Sequence, residues 1–120
     1  MQLHHLALRT RDVTRCAAFY RDIFGLTARG EQLEADGSLR SVWLAADSVM
    51  LMIEKAEAGE PGVQTGSLEL MAFTVGKNEC ESWRGRLASL GIAIESETEF
   101  SLYFRDPDGR RVAVSNYLFE

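Results

Sequence analysis

The chain has 120 residues, 46% of them hydrophobic and 26% charged, with a formal net charge of −5. That is the size of one compact domain, or of two half-size modules sharing a core, and the acidic balance argues against nucleic acid, which is bound by basic surfaces that release phosphate counterions. No apolar run approaches the roughly 20 residues of a membrane span, and the opening residues MQLHHLALRTRD lack the apolar stretch of a secretory signal. Cys16 and Cys80 are too few and too distant for a disulfide scaffold or a zinc ribbon, so reduced thiols and a cytoplasmic setting are expected.

In chain order, LHHLALRT opens as a short alternating strand. A helix follows over 13–24, with Asp12 as its cap and Val13, Cys16, Ala17, Tyr20, Ile23 and Phe24 at helical spacing. Gly25 ends it, and strands are predicted near 26–34, 39–45 and 48–54, with Asp36-Gly37 as a hairpin turn. Residues 56–65 have no hydrophobic period and read as a linker. Beyond them LELMAFTV is a strand, and Asn78 with Glu81 three residues on predicts a capping box for a second helix. Cys80, Trp83, Leu87 and Leu90 mark its buried stripe, and Gly91 stops it. Strands near 92–96, 100–105 and 111–117 complete the chain, the last two joined by Asp106-Pro107-Asp108-Gly109. A shift of 65 residues sets Ala7 on Ala72, and a shift of 66 sets Gly25 on Gly91. The fold class is therefore α+β: a single domain, 1–120, of two tandem βαβββ modules, 1–55 and 66–120.

Alternate residues of a strand face opposite sides of its sheet, and the side under the helix should be strongly apolar. Leu6 and Leu8, with Leu51 and Ile53, suit the helix side, and His4, one face-repeat earlier, is expected on the helix side or at the strand edge. His5, Ala7 and Arg9, with Trp43, Met50, Met52 and Glu54, then share the helix-free side. In the second module Leu70, Ala72, Thr74, Ser101, Tyr103, Arg111 and Ala113 fall on the equivalent side. An apolar surface interrupted by a few polar groups suits a ligand pocket.

The residues HLAL at 5–8, Asp12, AAFYRDIFGL at 17–26 and FRDPDGRRVAV at 104–114 carry a resemblance to the vicinal oxygen chelate superfamily, which includes glyoxalase I, fosfomycin-resistance enzymes, bleomycin-resistance proteins and extradiol dioxygenases. The resemblance covers nearly the whole chain and implies modules whose sheets curl into a cup with the helices outside. In metal-dependent members it implies a ligand histidine where His5 stands, a second at Leu70 and a glutamate at Ala113. A further glutamate used by some members falls on Met52, with Glu54 one face-repeat along. Leu70 and Ala113 can donate nothing to a cation, and divalent sites need several converging N or O donors.

The expectation drawn from this is metal-independent sequestration of a small, partly apolar or aromatic molecule, as in bleomycin-resistance proteins, without a cofactor and in a homodimer. Expected ligand contacts are His5, Arg9, Trp43, Met50, Met52, Glu54, Leu70, Tyr103 and Ala113. His5 and Glu54 are the candidates for acid–base work, as a proton-sharing pair if they meet. Arg9 and Arg111 are expected to pair with surface carboxylates, with an anionic ligand group as the other reading. Two alternatives stay open: a lyase, isomerase or dioxygenase holding a metal through His5, Glu54 and a further donor, and a dimeric regulatory module.

Overall fold

The structure, a computed structural model, describes residues 1–119. The chain separates into two units, Met1–Gly62 and Val63–Glu120, each with one helix and one four-stranded mixed sheet.

Unit 1 runs β1 His5–Thr10, α1 Val13–Phe24, β2 Thr27–Leu33, β3 Leu39–Ala46 and β4 Val49–Lys55. Its strand order is β1-β4-β3-β2, with β1 and β4 parallel and the other pairs antiparallel. Asp12 caps α1 as expected: its side chain accepts from the Arg15 amide at 3.0 Å, and Gly25 closes the helix at φ 69°. The helix presents Val13, Cys16, Ala17, Tyr20 and Ile23 to the sheet's inner side, where Leu8, Val42, Leu44, Leu51 and Ile53 are buried. Each fully buried aliphatic side chain of this set contributes roughly 1.5–3 kcal/mol, so the alternation along β1, β3 and β4 fixes which side must lie under the helix.

Unit 2 repeats the plan with β5 Leu70–Thr74, α2 Cys80–Ser89, β6 Ser96–Glu97, β7 Ser101–Arg105 and β8 Arg111–Ser115. The order β5-β8-β7-β6 reproduces that of unit 1, again with only the first pair parallel. Leu87, Leu102, Phe104, Val112 and Val114 form its core.

Three local expectations are corrected here. The helix begins at Cys80 behind Glu79, whose side chain makes no cap bond; Asn78 lies in the preceding turn, too early to reach the first free amides. The strand expected over 92–96 shortens to Ser96–Glu97, because Gly91 and Ile92 are used to end the helix. Gly91, at φ 72°, donates to the Ala88 carbonyl and Ile92 donates to that of Leu87, which is a Schellman closure. Leu90 is therefore the cap residue and 53% exposed, not part of the buried stripe.

Candidate functional site

On β1 the helix-free side carries His5, Ala7 and Arg9, beside Met50, Met52 and Glu54 of the parallel β4. Across β4, Ala45, Trp43 and Ser41 of β3 take the same positions. Side-chain contacts show that this parity is real. The His5 and Trp43 rings meet edge to face at 5.2 Å, reaching over β4, and Arg9 Nη1 lies 2.8 Å from Glu54 Oε1. Trp43, Met50, Met52 and Glu54 are half-buried and His5 is exposed.

His4 is exposed and does not take the helix side, the first of its two expected places. It precedes the first strand residue, so strand alternation does not hold it under the helix. Its Nδ1 lies 2.9 Å from Nδ1 of His5, a distance at which one imidazole donates to the other. The Nε2 atom of His5 has no hydrogen-bond partner among the described residues.

The far end of the same face is an ionic cluster. Arg9 donates to both oxygens of Glu60, at 3.1 and 2.6 Å, besides pairing with Glu54. Arg11 donates to the Glu60 carbonyl at 2.8 Å, the Glu57 amide to Glu60 Oε1 at 3.2 Å, and the Ala56 amide to the Thr10 carbonyl at 2.8 Å. Arg9 and the Glu57 amide hold the Glu60 carboxyl down at about 2, and the two carboxylates keep Arg9 firmly charged. A pocket of about 390 Å³ opens here, lined by Arg9, Arg40 and Lys55 against Glu34, Glu54 and Glu57. Glu60 and Arg11 were not among the expected site residues. Glu60 lies in the span read as linker, 51 positions from Arg9, and no local pattern announces such a contact.

This geometry separates His5 from Glu54. His5 is level with Met50, and Glu54 lies four residues further along β4, about 13 Å away at roughly 3.3 Å per residue. The pair cannot share a proton, nor bind one ion through bonds of about 2 Å. Glu54 is instead committed to Arg9. At the other positions of the implied metal set, Met52 offers a thioether, while Leu70 and Ala113 offer nothing. The residues present therefore do not fit a resident divalent ion.

On the helix-free side of unit 2, Leu70 is level with Arg111, and Ala72 and Tyr103 flank Ala113. Ala113 is fully buried and Leu70 is 43% exposed. Ser101 and Ser115 join through their hydroxyls at 2.7 Å. Arg105 is bound bidentately by Glu95, whose carboxyl it holds below the ordinary range. The Arg111 guanidinium lies over the Tyr103 ring, 4.2 Å from its centroid.

The repeated β-sheet plan and the helix-free faces agree with the family comparison: residues 2–114 match the model of the Glyoxalase/Bleomycin resistance protein/Dioxygenase superfamily. The chain belongs to this superfamily. It is 28% identical over 117 residues to the metallothiol transferase FosB of Lysinibacillus sphaericus, covering 91% of this chain and 77% of that protein. It is also 28% identical over 116 residues to the glutathione transferase FosA of Serratia marcescens, covering 93% and 78%. Among solved structures, the lactoylglutathione lyase of Agrobacterium tumefaciens superposes with a TM-score of 0.69 at 28% identity, covering 96% of this chain and 92% of that one. These superfamily relatives are enzymes, and one is named for a metallothiol. They overturn the expectation of metal-independent sequestration, which rested on the loss of donors at Leu70 and Ala113 and on the analogy with bleomycin-resistance proteins. No helix of the described residues is long and apolar enough to cross a membrane.

Proposed function

We propose that this chain is an enzyme of the thiol-transferase or lyase kind, acting on a small electrophilic organic substrate, with His5 as its proton-transfer group. The observation that carries the reading is the His5 imidazole on the helix-free face of unit 1, set against Trp43 and with Nε2 unengaged. The enzymatic character of the relatives supports it. Trp43, Met50 and Met52 supply an apolar, polarizable wall for the substrate body. A neutral imidazole at Nε2 accepts the proton of an attacking thiol, or of a carbon next to a carbonyl, and returns it to the product oxygen or carbon. The Arg9–Glu54–Glu60 cluster ties the other end of the sheet together and commits Glu54 to Arg9, away from the chemistry.

The working form is a homodimer, a reading supported by Leu6, 39% exposed on the edge strand β1, and Leu3, 60% exposed just before it. The cytoplasm suits the two free cysteines. Glutathione or cysteine offered with a small epoxide, and glutathione offered with a 2-oxoaldehyde, test the activity in buffer with Mn²⁺ and in buffer with chelator. Turnover in at least one combination, lowered about 100-fold or more in His5→Ala, is the expected result. Turnover unchanged in that variant, or none in any combination, refutes the reading.

A further inference from the structure

Adjacent residues of a regular strand point to opposite faces of the sheet, so their side chains do not meet. The contact between His4 and His5 arises because β1 begins at His5 and His4 stands one residue outside it. His4 is nonetheless held in place. Its carbonyl accepts from the Met50 amide at 3.1 Å, which extends the pairing of β1 with β4 by one rung, and the Gln2 side chain donates to the Ser48 carbonyl at 3.3 Å. The two imidazoles meet edge to face, with 5.1 Å between centroids and 2.9 Å between their Nδ1 atoms. Trp43 gives the His5 ring a second aromatic neighbour, at 5.2 Å.

A neutral imidazole carries one proton on its two nitrogens. Two bare Nδ1 atoms at this distance repel each other, and two protonated ones do the same, so a single proton lies between the rings. The ring that supplies it has a bare Nε2, and the ring that accepts it carries its own proton on Nε2. The contact therefore forces the two histidines into opposite tautomers.

We propose that His4 is a positioning residue: by accepting from Nδ1–H of His5, it fixes His5 in the tautomer whose Nε2 is bare and able to take a proton. An acceptor behind a proton-transfer imidazole selects the ring nitrogen that does the work. The purpose of this arrangement rests on the catalytic reading of His5, but the tautomer itself is measurable without any substrate.

Two-bond ¹H–¹⁵N spectra of the full chain at about pH 9, where both rings are neutral, read the tautomer of each histidine. His5 should carry its proton on Nδ1 and His4 on Nε2. His4→Phe keeps an aromatic ring and removes the acceptor, so His5 should move toward the Nε2–H form that dominates in free histidine. His4→Asp presents a carboxylate that can only accept, and it should hold His5 as Nδ1–H. On a substrate that the parent turns over, His4→Phe should lose about fivefold or more in kcat with KM little changed, and His4→Asp should restore it. His5 found as Nε2–H in the parent, or with the same tautomer in the parent and in His4→Phe, would overturn the proposal. A changed tautomer in His4→Phe with undiminished turnover would uphold the contact and count against His5 as the proton-transfer group, so the two readings fail separately.

Discussion

Two arginines that look alike in the sequence behave differently. Arg9 and Arg111 both lie on the helix-free side of a strand, and both were expected to pair with surface carboxylates. Arg9 does so twice, with Glu54 and Glu60, whereas Arg111 finds an aromatic face. Histidine and glutamate divide similarly. About 13 Å of β4 separates the levels of His5 and Glu54, so the two do not act as a proton-sharing pair; Glu54 pairs with Arg9, and in the proposed function proton transfer belongs to His5 alone. Glu54→Gln should therefore leave kcat/KM within about threefold of the parent while His5→Ala loses about 100-fold or more, as steady-state kinetics on a common substrate will show. Equal losses in the two variants would mean that Glu54 belongs to the chemistry.

At the level of elements, the period-2 alternation along β1, β3 and β4 was legible. The contacts between His5 and Trp43 and between Arg9 and Glu54 follow from it, because helix cover makes one side of the sheet unambiguous. What alternation does not contain is register. Nothing in the sequence says that His5 sits level with Met50 and not with Glu54, since that depends on how the parallel pair β1 and β4 is set by the intervening elements. The segment 56–60 was illegible for a related reason: its order comes from Arg9, Arg11 and the Thr10 carbonyl, all distant in sequence. Helix caps show the same division. Asp12 has the right residue and the right position, and Asn78 has the right residue two places before the helix. Asp12→Ala should cost about 1 kcal/mol in urea unfolding and Asn78→Ala close to nothing. A substantial loss in Asn78→Ala would show that the capping box forms in solution.

Across the whole molecule, the excess of 18 acidic over 13 basic residues coexists with carboxylates that pairing holds ionised in both units: Glu60 by Arg9 in the first and Glu95 by Arg105 in the second. Both carboxyls are lowered in the folded chain, so the unfolded chain binds more protons as the solution is acidified. Stability from these pairs is thus fully present above the ordinary glutamate value of about 4.3 and is lost as pH falls through the folded values, which for Glu60 is about 2. Exposure of Arg9 and Glu60 to solvent screens the pair, so salt should reduce the effect. Glu60→Gln should melt below the parent at pH 7, and the gap should narrow steadily between about pH 5 and pH 2, because the parent then loses the charge that the variant never had. The same variant should also loosen the 56–60 segment, read as faster amide exchange at Glu57, whose N–H is held by the Glu60 carboxylate. Melting curves of parent and variant that stay a constant distance apart down to pH 2 would show that the Glu60 carboxylate contributes through packing and not through its charge.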